Sequence, residues 1–161
     1  MTDEHDEYYM RLALAEAQSG LDEGEFPFGA VLVARKGEVV ASCHDTVERD
    51  GDKSSHAETM LVKRSCRLVG PDLTGCTLYT TVEPCPMCFT TSWLARVSRI
   101  AWGATMAEVA DATHNAVREL AVPATQMNDL GGQLIDLRGG VLCSECIGMF
   151  NKSAQRRGQL G

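Results

Sequence analysis

Two short segments constrain this chain more than any other stretch of it: His56-Ala57-Glu58, and Pro84-Cys85-Pro86-Met87-Cys88. They supply two thiols and an imidazole, three soft metal ligands, together with one carboxylate that cannot easily be a fourth. Residues two apart on a helix project in different directions, so Glu58 and His56 cannot readily reach one ion. Three Cys and His ligands with an open fourth position is the count of a catalytic zinc, whereas a closed structural site takes four. A fold that uses these three as one site brings His56 against Cys85 and Cys88.

The flanking sequence says on what kind of backbone they sit. Cys76-Thr77-Leu78-Tyr79-Thr80-Thr81-Val82 is strand-like, Pro84 breaks it, and Pro86 suits the first turn of a helix over about 86 to 97. Cys85 and Cys88, at i and i+3, share one face of that turn, where the positive helix end favours thiolates. From His56 to Leu68 the apolar Ala57, Leu61 and Leu68 share a helical face that Gly70-Pro71 ends, with Ser54 or Ser55 as a cap.

The rest of the chain alternates in the same way. Met10, Leu14, Ala17 and Leu21 predict a first amphipathic helix over 3 to 20. Phe26 to Val33, then Lys36-Gly37, then Glu38-Val39-Val40-Ala41 predict a hairpin, and residues 45 to 55 an exposed loop. Arg99 to Gly103 reads as a strand, and Met106, Val109, Ala110, Thr113, Val117 and Leu120 mark a helix after it. Gln133 to Leu137 is a weaker strand, and 141 to 157 a last helix ending on a basic turn. Strands alternating with helices imply an α/β layer fold with helices on both faces of a sheet, which the hairpin makes mixed.

At 161 residues and 44% hydrophobic content the chain fits one domain, 1–161, with a real core. Its seven cysteines are more than a chain this core-rich needs as a disulfide frame, and Met1 to Asp6 carries no apolar secretory run. The expectation is a cytoplasmic protein with reduced thiols, and no apolar stretch nears the ~18–20 residues of a membrane span. The net charge of -7 opposes a nucleic-acid backbone and favours small neutral or cationic substrates.

Two thiolates and one imidazole balance a zinc dication and leave room for a water whose pKa the metal lowers toward roughly 7. Glu58 is then placed to take that water's proton and pass it to a ring nitrogen and to a leaving amine. That is what hydrolysis of an amino-substituted heterocycle demands.

The H-x-E and P-C-x-x-C arrangement resembles the zinc nucleobase deaminase superfamily. The likeness runs from Phe28-Gly29-Ala30-Val31 through Leu78 to Cys88 and on to Gly140-Val141-Leu142 with Glu145-Cys146. Over most of the chain it is similar to the bacterial guanine deaminase and tRNA adenosine deaminase branch. The resemblance implies a three-layer α/β/α sandwich on a five-stranded mixed sheet, bound Zn2+, and a homodimer whose interface lies near the active sites. It implies Phe28 and Ala57 at the substrate ring, and acidic side chains from the later half of the chain, Asp111 and Glu145, on the base.

The chain departs from that branch where relatives resemble one another in gripping the ring with an Asn after the second strand. Asp45 aligns there, and no Asn occurs before Asn115. An Asn amide donates and accepts, whereas an ionised Asp only accepts, so Asp45 suits an edge presenting N–H groups, as guanine, isocytosine and aminotriazines do. Against the acceptor nitrogens of adenine it costs on the order of 1 to 3 kcal/mol. As a plain loop residue Asp45 would simply cap a turn. Leu94, beside Trp93, stands where guanine deaminases resemble one another in carrying a Trp.

The expected activity is therefore zinc-dependent hydrolytic deamination of a small aminated heterocycle. A tRNA adenosine deaminase is the alternative within enzymes, suggested by the basic ending Lys152, Arg156 and Arg157. A zinc-stabilised, non-catalytic binding module is the alternative outside them. A Cys₄ knuckle using Cys143 and Cys146 would need pairs much closer than these, since ~15–20 residues is usual. Those two, with Cys43, Cys66 and Cys76, read as buried small hydrophobes. His5, His44 and His114 lack companions at ligand spacing.

Overall fold

The computed structural model describes residues 3–158. In chain order the elements are α1 (Asp3–Asp22), β1 (Gly29–Val33), β2 (Val39–His44), the single turn α2 (Val47–Asp50), α3 (Ala57–Val69), β3 (Thr77–Val82) and α4 (Pro86–Leu94). There follow β4 (Arg99–Ala104), α5 (Met106–Ala112), α6 (Ala124–Leu130), β5 (Asp136–Arg138) and α7 (Cys143–Arg156). The five strands form one sheet in the order β2-β1-β3-β4-β5. Strand β1 is antiparallel to β2 and β3, while β3, β4 and β5 run parallel, so the sheet is mixed as expected.

Helices α1 and α7 cover one face, and α3 with α4 cover the other. The central strand β3 is buried along its whole length, which is why its sequence is apolar and β-branched rather than alternating. Its side chains still alternate in direction: the Tyr79 hydroxyl donates to Asp6 of α1, whereas Thr80 donates to Glu58 of α3. On the α1 side, Arg99 grips both oxygens of Asp6 at 2.8 Å. Burial alone would raise the Asp6 pKa, but the guanidinium and the Tyr79 hydroxyl outweigh it and hold the carboxyl below its usual range. A side chain at Gly29 would run into the backbone of α1 at Ala13 and Ala17, so the glycine lets helix and strand touch. No helix of the described residues is long and apolar enough to cross a membrane.

The strand expected over Gln133 to Leu137 forms only as β5, Asp136–Arg138, and α4 ends at Leu94 rather than near 97; two further departures border the site. The loop 45–55 contains α2. The helix expected to run from Met106 to Leu120 stops at Ala112, because His114 and Asn115 take left-handed backbone angles of φ 51° and 60° that turn the chain aside. Residues 116–123 continue without helix until Pro123 occupies the N-cap of α6, a helix the sequence pattern did not indicate. Cys146 is buried against Gly103 and Cys143 faces Glu108, so neither joins Cys85 and Cys88.

Candidate metal centre and active site

The strands β3 and β4 point their carboxyl ends at the start of α4, the place where open α/β sheets collect ligands. His56 is the N-cap residue of α3 and Cys85 the N-cap residue of α4, with Pro86 at the first helical position. Neither Ser54 nor Ser55 caps α3, and neither N-cap side chain bonds its own helix. The imidazole and thiol are instead turned toward each other. Cys85 Sγ lies 3.6 Å from His56 Nδ1, Cys88 Sγ lies 3.5 Å from it, and the two sulfurs are 3.5 Å apart. Zinc–sulfur bonds of about 2.3 Å and a zinc–nitrogen bond of about 2.0–2.1 Å at tetrahedral angles space such atoms roughly 3.5–3.8 Å apart. The donor set fits that ion, and among the described residues these three are the only group gathered for a metal.

The electrostatics suit a thiolate centre. Cys85 is hydrogen-bonded to Cys88 and to His56, and these bonds overcome burial and bring its pKa down to about 4. The same bond to Cys85 is the main reason that the imidazole of His56 rises to about 9 despite burial. Cys88, hydrogen-bonded to Cys85 and buried, is pushed upward. Binding zinc therefore requires Cys88 to lose its proton, and loading weakens at low pH.

Glu58 is 3% exposed and stands beside the triad without joining it. Its Oε1 accepts from Thr80 Oγ1 at 2.8 Å and its Oε2 lies 3.4 Å from Cys88 Sγ. Burial first, and the negative Cys85 second, raise its pKa, so this carboxyl holds a proton more readily than an ordinary glutamate. The spacing argument from the sequence describes what is seen: the side chain two residues from His56 goes to β3 rather than to the metal position.

A cleft of about 430 Å³ opens onto His56. Phe26 and Phe28 form its apolar side, with Phe28 packed edge-to-face on Phe150 at 5.1 Å. Asp45, Val47 and Glu48 line it from the loop after β2, and Val117, Arg118 and Glu119 from the segment after α5. Asp45 is 5% exposed, and burial pushes its pKa up to about 6. One of its oxygens accepts from Val47 N at 2.8 Å, so it both caps a turn and faces the cleft.

Of the residues singled out in the sequence, His56, Glu58, Cys85 and Cys88 come together, and Phe28 and Asp45 reach the cleft. Ala57 is fully buried in the first turn of α3 and is not part of the lining. Asp111 and Glu145 are not brought to the cleft. The inward faces of α5 and α7 are Met106 with Val109 and Cys146 with Met149 and Phe150, which leaves both carboxylates toward solvent.

The acidic residue that does arrive from the later half is Glu119. It is half-buried, forms no side-chain hydrogen bond within the described residues, and is pushed up to about 8 by burial and by the negative Cys85 and Glu58. The helical pattern through Val117 and Leu120 concealed it. Asn115, a residue that tolerates left-handed angles, and Pro123 were the signals that the helix ends early.

Residues 3–104 match the family model described as the cytidine and deoxycytidylate deaminase zinc-binding region. A tRNA-specific adenosine deaminase of Aquifex aeolicus is 38% identical over 99 residues, 61% of this chain and 65% of that one, so the match spans a little under two thirds of the relative. A guanine deaminase of Bacillus subtilis is 33% identical over 108 residues, 66% of this chain and 69% of that one. The structure of a guanine deaminase from Nitrosomonas europaea superposes with a TM-score of 0.83 at 20% identity, covering 92% of this chain and 84% of that one, a likeness of fold.

Proposed function

Because the chain belongs to the family defined by the cytidine and deoxycytidylate deaminase zinc-binding region, we propose that it is a zinc-dependent aminohydrolase acting on a small free heterocycle. The substrate is a guanine-like purine, or a pyrimidine or s-triazine with the same N–H-rich edge, and the product amine leaves as ammonia. His56, Cys85 and Cys88 hold Zn2+. When bound, zinc lowers the pKa of water at its open position toward about 7 and so makes a nucleophile available near neutrality.

The chain's own residues do the rest. Glu58 accepts a proton from the attacking water as the new C–O bond forms at the ring carbon that carries the amino group. It passes that proton to the ring nitrogen, then takes the remaining proton of the added hydroxyl and gives it to the departing nitrogen, and the C–N bond breaks as C=O forms, releasing ammonia. Thr80 fixes this carboxyl by donating to Oε1 at 2.8 Å, leaving the other oxygen toward the metal triad. Phe26 and Phe28 offer apolar surface to a planar ring.

The observation that carries the choice of substrate is the pair of carboxyls, Asp45 and Glu119, that line the cleft beside His56. Asp45, ionised at neutral pH, only accepts and so suits an N–H edge. Glu119, pushed up to about 8, still carries a proton there and can donate to an acceptor atom of the same base. Ammonia release by zinc-loaded protein and by Glu58→Ala, across guanine, isocytosine, cytosine, aminotriazines, adenosine and a tRNA stem-loop, tests the reading. Guanine-type turnover that disappears in Glu58→Ala is the expected result, and silence on every compound would end it.

Deamination of adenosine in tRNA is the second reading, favoured by the name of the Aquifex aeolicus relative. Against it, two of the three basic residues at the chain's end are occupied within the protein. Arg156 donates to Leu21 O and to Asp22, and Arg157 donates to Gly24 O with its guanidinium 3.9 Å over Phe26. Salt-sensitive binding to an anticodon stem-loop would revive it. The homodimer is part of the proposal: Leu130 is an exposed apolar side chain lining a groove with Phe89, Trp93 and Met127, and Leu94 is a further exposed apolar side chain, on α4. Light scattering at micromolar concentration distinguishes one copy from two.

A further inference from the structure

Glu25 is a charged side chain with no part in the chemistry described above, yet it is 2% exposed. Buried carboxylates are costly unless they are hydrogen-bonded, and Glu25 spends both oxygens on one object. Oε2 accepts from Glu48 N at 2.9 Å and Oε1 accepts from Arg49 N at 2.7 Å. These are the second and third residues of α2, the N–H groups that a helix start leaves without partners. The local candidate for the task, the N-cap Thr46, does not perform it: its hydroxyl donates to Asp50 at 2.6 Å and lies 3.0 Å from Met60 Sδ instead. A residue more than twenty positions earlier in the chain therefore caps the turn.

The two segments joined in this way are the two sides of the cleft that meet nearest Asp45. Glu25 lies one residue before Phe26 and three before Phe28, while the turn that it caps carries Val47 and Glu48 and begins two residues after Asp45. The backbone bond from Asp45 N to Phe28 O, 3.1 Å, fastens the strand end of the same junction. The turn itself has only four residues and packs little apolar surface, since none of them is buried. Without the carboxylate, its position relative to the aromatic side would rest on that backbone bond and the contacts of Thr46.

We infer that Glu25 is a positioning residue for substrate recognition: its carboxylate clamps the α2 turn to the Phe26–Phe28 segment and so sets where Asp45 meets the heterocycle. The inference rests on the free-heterocycle reading above. It places Glu25 in control of binding rather than of proton transfer, which is the task of Glu58 on the other side of the triad.

Glu25→Gln is the incisive variant, because it keeps the shape but turns an amide N–H₂ toward one of the two backbone N–H groups. With guanine, isocytosine and cytosine as probes, the zinc-loaded variant should keep its zinc and its kcat within about twofold, while KM for the preferred probe rises about tenfold or more. That is the loss of one hydrogen bond to a charged group. Glu25→Asp, which retains the charge, should restore part of the affinity. In proton–deuterium exchange the amides of Glu48 and Arg49 should be protected in the native chain and exchange at least about tenfold faster in Glu25→Gln.

Unchanged KM with only a lowered melting temperature would overturn the inference, and so would loss of zinc together with kcat, or fast exchange at both amides in the native chain. Should Glu25→Gln not fold, Glu25→Asp carries the same two measurements. If the native protein turns over none of the probes, the function proposed above fails, whereas the exchange data still decide whether the clamp exists.

Discussion

The metal side of the cleft is made from the N-cap residues of two regular helices, whereas the substrate side is made from a single turn after β2 and a non-helical segment between α5 and α6. On the metal side, spacing along the chain sets geometry, since i and i+3 in a helical turn are neighbours wherever the helix lies. On the substrate side, Asp45 and Glu119 are brought together across the molecule, and no local rule relates them. Under the proposed function the first side specifies a reaction and the second a substrate, so substitutions in the two should fail differently.

The largest effect is expected from the ligands. Cys85→Ala or Cys88→Ala should abolish stoichiometric zinc, measured by elemental analysis, and bring ammonia release to background. A metal side that still loads one zinc with either thiol missing would break the comparison at its root. Next, Glu58→Gln should lower kcat by about 10²–10⁴-fold, the usual weight of a proton-transfer group, with zinc content unchanged. Loss of zinc in that variant would make Glu58 a ligand and not a proton carrier.

Substitutions on the substrate side should alter ranking instead. Asp45→Asn and Glu119→Gln should each lower kcat/KM for guanine-type substrates by about 10- to 100-fold relative to an adenine-type competitor, corresponding to one to two misplaced polar pairs. An unchanged ranking in both variants would remove the carboxyls from substrate choice.

The same aspartate carries a stability cost whose sign can be checked. Burial raises its pKa from the ordinary 3.8 to about 6, so the folded chain holds that proton more tightly than the unfolded chain does. Stability is therefore undiminished below about pH 4 and falls as pH rises through 6. Asp45→Asn should stabilise the fold at pH 7 by on the order of 2 kcal/mol and not at pH 3.5, in denaturant melts. A gain that is equal at both pH values would show that the burial cost lies elsewhere.

The smallest effect belongs to His44, which neighbours Asp45 but lies between the carboxylates of Glu16 at 3.0 Å and Glu23 at 2.9 Å. Burial disfavours its charge, but the two acids outweigh burial and raise its pKa. A raised histidine contributes below about pH 6.5 and loses that contribution as pH rises through its folded pKa. His44→Gln should cost under about 1 kcal/mol at pH 6 and nothing at pH 9, with substrate ranking untouched. A changed ranking would extend the substrate side to the back of β2.

Much of the fold could be read in advance. The β-branched run of Thr77 to Val82, the proline after it and the helical faces of α1, α3 and α7 are local patterns, and each formed within a few residues of its expected bounds. The Met106–Leu120 helix misled because apolar residues at helical spacing also suit a segment that covers a cavity side by side with a short helix. What decides between the two is the turn at His114 and Asn115 and the demand of Glu83, whose carboxylate accepts from Met106 N and Ala124 N and so pins both ends of the stretch. For the same reason Asp111 and Glu145 were expected in place of Glu119: helical phase assigns faces only where the helix continues.

By itself, then, the sequence indicated the layered α/β architecture by periodicity, put Cys85 and Cys88 on one helical turn and Glu58 apart from His56 by spacing, and grouped His56 with the two cysteines as a candidate metal triad through their residue types and the family resemblance. Only the tertiary structure decided which acids reach the cleft, that Glu25 caps a turn more than twenty residues away, and that Arg156 and Arg157 are spent inside the protein. Those are contacts between segments distant in the chain. They are selected by which buried polar groups can find partners once the sheet and its helices have assembled.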